Sequence, residues 1–162
     1  MQMIAAADAQ WGIGYKGDLL CSLHEDMKYF KEKTSGHTVV MGRATLESLP
    51  HKRGLPKRRN IVLTTRENYE PERAEVVHSI PQLMDALGDE ADDAFVIGGA
   101  RVYEELLPYC DVCWITRIGK AFTADRHLPD LDEDDAFQIS WESEEMEEDG
   151  IPYRFVKYER KK

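Results

Sequence analysis

Short apolar runs alternate with amphipathic stretches along most of the chain. Ile4 to Ala7, Thr38 to Met41, Asn60 to Thr64, Ala94 to Ile97 and Val112 to Ile118 are mostly apolar and bounded by Gly, Asn or Asp, as strands buried on both faces should be. Helical patterns fill the gaps. Ser22 followed by Glu25 predicts a capping box ahead of a helix over His24 to Thr34. Ser79, with Pro81 just inside, opens a helix through Leu87-Gly88, and Ala100 to Leu107 ends at Pro108. Strands alternating with helices predict an α/β fold with a largely parallel sheet. The tail differs: Phe137 to Ser143 and Tyr153 to Glu159, joined near Asp149-Gly150, predict an antiparallel pair closing one edge of that sheet. No repeat or linker interrupts the pattern, so residues 1–162 are expected to form one domain.

Charge changes the picture locally. The net charge of −10 argues against nucleic acid or an anionic membrane as the main partner. Between Asp130 and Asp149 there are eleven acids and no Lys or Arg, which reads as a solvated face or an interaction surface. Lys52, Arg53, Lys57, Arg58, Arg59 and Arg66 make a basic neighbourhood able to receive an anionic small molecule. Three cysteines, Cys21, Cys110 and Cys113, cannot all pair, and the first residues lack a secretory pattern, so a cytoplasmic setting is expected.

On a helical wheel Leu23, Met27, Phe30 and Thr34 share one face and Glu25, Lys28, Lys31 and Glu32 the opposite one. Asp26 flanks the apolar stripe, where ionisation is costly unless a donor meets it. It is either a residue placed by the helix dipole or a site acid. Gly12-Ile13-Gly14-Tyr15-Lys16-Gly17 matches the dinucleotide fingerprint but lacks the immediate helix that the fingerprint requires. The loop from Ala9 to Cys21 therefore reads as a mobile lid or a plain surface loop.

Two strand ends carry Gly just before a helix start, at Met41-Gly42-Arg43-Ala44-Thr45 and Ile97-Gly98-Gly99-Ala100-Arg101, and a third ends in Thr64-Thr65-Arg66. Together they form anion-friendly edges on one side of the sheet, as a phosphate-rich cofactor needs. Cys110-Asp111-Val112-Cys113 has the C-x-x-C spacing but no second pair for a closed zinc site. The five histidines lack metal-ligand spacing, and neither nucleophile-elbow nor P-loop motifs occur.

Ile4-Ala5-Ala6, Gly12-Ile13-Gly14, Asp26 with Phe30, Val40 to Thr45, Leu55 to Asn60, Ile97 to Tyr103 and Thr116, in this order and spacing, resemble bacterial dihydrofolate reductase along nearly the whole chain. The resemblance implies an eight-stranded, mostly parallel sheet with an antiparallel C-terminal edge, flanked by four helices. It also implies NADPH-dependent reduction of 7,8-dihydrofolate by a monomer that binds antifolates. Asp26 then matches the acid holding the pterin 2-amino group and N3. Ile4, Met27, Phe30, Leu49 and Ile97 would line the pterin pocket, Thr116 would tie Asp26 to the pterin through a water, and Arg58 would grip the α-carboxylate of the glutamate. On the cofactor side the resemblance places Ala6 and the loop Gly12-Ile13-Gly14-Tyr15-Lys16-Gly17-Asp18 at nicotinamide and ribose. It places Ala44, Thr45, Gly98, Gly99, Ala100, Arg101, Val102, Tyr103 and Glu105 along the pyrophosphate. Arg43, Thr64, Thr65, Arg66 and His78 fall at the adenosine end, and Gly98-Gly99 matches a cis peptide.

Under this reading the cofactor delivers a hydride to pterin C6, and water protonates N5 when the lid moves, favoured by the charge of Asp26. The chain departs from the family pattern in carrying Leu20-Cys21 where most relatives have Pro-Trp, Leu46 where many have Trp, and His24 in place of the usual helix-starting Pro. Two alternatives follow: the related pyrimidine reductase of riboflavin biosynthesis, and a weakly catalytic binder of NADPH and pterin, motivated by Cys21.

Overall fold

The computed structural model describes all 162 residues. The parallel runs form as the apolar pattern predicts: β1 (Gln2–Ala7), β3 (Thr38–Gly42), β4 (Arg59–Leu63), β6 (Phe95–Val96) and β7 (Val112–Ile118). A short β5 (Glu75–Val77) extends the sheet, β11 (Ile151–Arg160) runs antiparallel to β7, and β9 (Phe137–Glu142) and β10 (Met146–Glu148) follow one another along the outer edge of β11. The order is β10-β11-β7-β1-β6-β3-β4-β5, with β9 also on β11. The sheet is thus eight positions wide, and five of its strand pairs are parallel.

Alternation along each strand assigns the two faces. Met3 and Ala7 of β1, Val40, Ile61, Val96 and Ile115 meet α3 (Ile80–Leu87) and α4 (Ala100–Leu106) in the main core through Leu83, Leu87, Val102 and Leu106. The intervening Ile4, Val39, Met41, Val62 and Phe95 meet α2 (Arg43–Ser48) through Leu46 and α1 (His24–Thr34) through Phe30 on the other face. Leu46 is fully buried there. Because α2 and α4 start at the ends of neighbouring strands, their first turns converge on one sheet edge, the place where open α/β sheets take ligands.

Three expectations are corrected by the fold. The α1 helix spans His24–Thr34 as expected, but no capping box forms: Leu23 is the N-cap, with no side-chain hydrogen bond, and the Ser22 hydroxyl donates to Met27 Sδ instead. The Asp149-Gly150 turn joins β10, not β9, to β11. The stretch from Ala9 to Cys21 is not a bare loop: it includes β2 (Gly12–Gly14), which pairs with β8 (Arg126–His127). These strand partners lie over a hundred residues apart in the chain, so local periodicity carries no sign of the pairing. By contrast the Ser79 cap forms as read, its hydroxyl accepting from Gln82 N at 3.2 Å.

The acidic segment is largely built into the molecule. Asp130 accepts from the N–H of Asp132, Asp134 from that of Ala136, Asp132 from Arg117 and Tyr158, and Glu142 and Glu145 meet Arg154. No helix is long and apolar enough to cross a membrane.

Candidate active site

Asp26 stands in the first turn of α1 and reaches β7, where its Oδ1 accepts the hydroxyl of buried Thr116 at 2.5 Å. Thr116 faces it because β7 pairs with β1 in the register Ala6↔Thr116 and with β11 in the register Phe155↔Thr116. Burial pushes the Asp26 carboxyl above the ordinary carboxylate range, the Thr116 hydrogen bond opposes that shift, and the nearby Glu148 charge adds to it. Oδ2 accepts no hydrogen bond from the protein and is not sealed from solvent. It is the free acceptor of the site.

Around this acid the structure brings together Ile4, Phe30, Leu49 and Ile97, which share one apolar cluster with Leu46 and Val62. Leu55 packs on the same cluster and escaped the sequence reading. Met27, which shares the wheel face of Leu23 and Phe30, is 59% exposed and is not packed on that cluster. Cys21 is half-buried against Leu23, Ile118 and Tyr153, and burial raises its thiol above the ordinary value, keeping it protonated. Cys110, just before β7, and Cys113, on it, are both buried, the former thiol pushed up to about 11 and donating to the Leu106 carbonyl.

Arg58 is fixed at the far end of α1. Its NH1 donates to Thr34 Oγ1 at 3.0 Å and its Nε to the Pro56 carbonyl at 2.9 Å, which leaves NH2 free. Burial lowers this guanidinium below its ordinary value, yet an arginine stays charged at neutral pH. Asn60 holds the loop in place and was not foreseen: it accepts from Leu55 N and donates to the carbonyls of Leu55 and Arg58. Neighbouring Arg59 is spent on Glu75 and Glu90. Of the basic neighbourhood, only part is therefore available to a ligand.

Across the strand ends from Asp26 runs a groove of about 430 Å³ lined by Arg43, Ala44, Thr45, Thr64, Thr65, His78, Gly99, Ala100, Arg101, Val102 and Glu105. All eleven are residues that the family resemblance places at a cofactor. Gly42, Leu63, Ser79, Ile80 and Arg126 line it too; Arg126 arrives through the β2–β8 pairing. Gly42 N donates to the Gly98 carbonyl at 2.9 Å, joining the starts of α2 and α4, and the Gly98-Gly99 peptide is cis. Arg43 and Arg101 are held by Glu47 and Glu105 on their own helices, while His78 Nδ1 lies 2.8 Å from the Thr64 carbonyl. Arg66 and Gly98 are outside this lining. So is Tyr103, which is buried with its hydroxyl donating to the Ile4 carbonyl at 2.8 Å.

The glycine-rich loop is rooted rather than free at its base. Buried Asp8 accepts the backbone N–H groups of Gln10, Gly12 and Phe122 at 2.8, 2.8 and 2.9 Å. A Cβ at Gly12 would lie 2.7 Å from Ala124 Cβ, so this position needs glycine for the close approach of the two segments. The tip, Tyr15 to Asp18, is an exposed turn whose Lys16 N donates to Asp125 Oδ2 at 3.0 Å.

The site thus combines an acid under an apolar wall, an arginine at its outer end and a groove lined by Arg43, Arg101, Arg126 and His78. The dihydrofolate reductase family model matches residues 1–160. The chain belongs to the dihydrofolate reductase family. It is 40% identical to the dihydrofolate reductase of Bacillus subtilis (strain 168) over 162 residues, covering 99% of this chain and 95% of that one. With the enzyme of Enterococcus faecium it shares 37% identity, over 96% and 93% of the two chains. Among solved structures, the dihydrofolate reductase from Enterococcus faecalis complexed with NADP(H) and RAB-propyl superposes with a TM-score of 0.88 at 34% identity, covering 99% of this chain and 96% of that one.

Proposed function

We propose that the chain works as one domain and as a monomer in the cytoplasm, catalysing the NADPH-dependent reduction of 7,8-dihydrofolate to tetrahydrofolate. Its ligands are that substrate, the cofactor and antifolate inhibitors, with no nucleic acid or membrane as partner. The observation that carries this reading is the Asp26–Thr116 pair, set between an apolar wall and a cation-lined groove.

The groove fits the cofactor by its donor set: Arg43, Arg101, Arg126 and His78, with two Gly-preceded helix starts, suit a molecule rich in phosphate. Arg43 and Thr65, with exposed Arg66 beside them, would hold the 2′-phosphate, and Ala44, Thr45, Gly99, Ala100, Arg101, Val102 and Glu105 the pyrophosphate. NADPH, when bound, supplies a hydride to the pterin. The chain's own part is to orient and to control protonation. Asp26 Oδ2 accepts the pterin 2-amino and N3 donors in charge-assisted bonds, Ile4, Phe30, Leu49 and Ile97 exclude water from the ring, and Arg58 NH2 holds the glutamate carboxylate. Held at the N3 edge, Asp26 is remote from N5, so a water admitted beside the lid gives N5 its proton and the Asp26 charge stabilises it there.

The deciding assay is NADPH oxidation followed by absorbance with and without dihydrofolate; oxidation that does not depend on dihydrofolate refutes the proposal. Arg58→Leu is expected to raise KM for dihydrofolate about 10- to 100-fold, the loss of a charged hydrogen-bond partner, with kcat little changed. Arg126→Ala is expected to weaken NADPH binding about tenfold and to flatten its salt dependence, read by fluorescence titration at two ionic strengths.

A further inference from the structure

The start of α1 carries the active-site acid but has no cap from its own neighbourhood. Its first N–H groups need an acceptor, and they find one 124 residues away: Glu148 Oε1 and Oε2 accept from His24 N at 3.0 and 2.9 Å, and Oε1 from Glu25 N at 3.5 Å. The Glu148 side chain is only 17% exposed, and its one cationic partner is the exposed His24 imidazole at 3.5 Å. Its location is set by the Asp149-Gly150 turn, with φ of 51° and 80°, which closes a two-residue hairpin and pairs Glu148 with Ile151. Farther along α1, Tyr29 stacks on Phe155 of β11 at 4.0 Å. The helix is thus held to the C-terminal hairpin at two points.

We propose that Glu148 is a positioning residue for Asp26: its carboxylate clasps the start of α1 to the C-terminal hairpin and fixes both the place and the electrostatic surroundings of the acid. The groups that face Asp26 are Thr116 from β7, Tyr29 on its own helix, Tyr103 from α4, Cys21 from the preceding loop, Tyr153 from β11 and Glu148 from β10. Glu148 is the charged one among them. Facing Glu148 in turn are His24, Glu25, Asp26, Cys21 and Tyr153, with no Lys or Arg to offset it. A negative carboxylate at a helix start is favoured by the dipole, and the same charge, felt at Asp26, opposes its ionisation.

The inference rests on the role given to Asp26 above, and the test separates the two. The titration of the Asp26 carboxyl carbon is followed by ¹³C NMR, with Asp26→Asn assigning the signal. Glu148→Gln keeps an acceptor oxygen for His24 N and removes the charge, so the Asp26 midpoint is expected to move down, with KM for dihydrofolate near the parent value. Glu148→Ala also removes the clasp, and is expected to add a several-fold rise in that KM with NADPH affinity unchanged. A mere cap would lower the melting temperature in Glu148→Ala and leave the Asp26 midpoint where it was. An unmoved midpoint in Glu148→Gln, in an enzyme that needs Asp26, overturns the inference, and so does an unchanged KM in a folded Glu148→Ala. Should Asp26→Asn turn over at the parent rate, the reading of Asp26 itself fails and this inference falls with it.

Discussion

Asp26→Asn should lower dihydrofolate-dependent NADPH oxidation at pH 7 by about 10²-fold or more, the range lost with a positioned acid or base. The amide can still accept the Thr116 hydroxyl, so the site keeps its shape and loses its charge. Two contributions disappear together: the charge-assisted bonds to the pterin edge, and the negative potential that favours a proton at N5. Since the proton comes from solvent in this mechanism, the deficit should narrow as the pH falls. NADPH affinity, which the proposed function assigns to the groove of Arg43, Arg101 and Arg126, should stay within about twofold, less than the loss of even one ordinary hydrogen bond.

Stability should move the other way. The folded-state Asp26 carboxyl is raised above its unfolded value, chiefly by burial. Its cost to folding is therefore absent below the unfolded value of about 3.9, grows as the unfolded chain ionises, and is complete above the raised folded value. Asn carries no such cost, so the variant should melt at or above the parent temperature at pH 7. Initial rates from pH 5 to 8 with melting curves at pH 7 check both halves, and parent-level turnover at pH 7 would sink the assignment.

Gly54→Ala should cost about 3 kcal/mol or more, the upper range for forcing atoms into packed space, or roughly 10 °C in Tm for a chain of this size. A Cβ there would fall 2.0 Å from the Arg73 carbonyl oxygen and 2.7 Å from Asn60 Cγ. Neither can yield cheaply. Gly54 N donates to the Glu72 carbonyl at 3.0 Å, which ties the two strands of backbone together, and Asn60 is held by three hydrogen bonds to Leu55 and Arg58. Glycine is required here for space, not for a left-handed φ. Pushing Asn60 away also releases the Arg58 loop, so KM for dihydrofolate should rise while NADPH affinity holds. Thermal melting with parallel measurement of the two constants checks this; a Tm within about 2 °C of the parent, less than 1 kcal/mol, would contradict it.

The sequence by itself determined the strand and helix alternation, because apolar periodicity and glycine at strand ends are local signals. The Ser79 cap and the two Gly-preceded helix starts at Arg43 and Ala100 were legible for the same reason: every atom involved lies within a few residues. The order and spacing of Asp26, Arg58 and Gly98-Gly99 pointed to the family, although the helical wheel alone left Asp26 open between a dipole-placed residue and a site acid. Only the tertiary structure decided what joins distant parts of the chain. Thr116 reaches Asp26 because two sheet registers aim it there, and Arg126 enters the groove through a strand pair with the base of the glycine-rich loop. Likewise Glu148, read as one acid in a charged run, displaces the local Ser22 cap at α1. A carboxylate on a neighbouring hairpin can satisfy the same N–H groups as a local hydroxyl and adds charge to the bond. Which acceptor wins depends on how the sheet edge folds back, information that no window of a few residues contains.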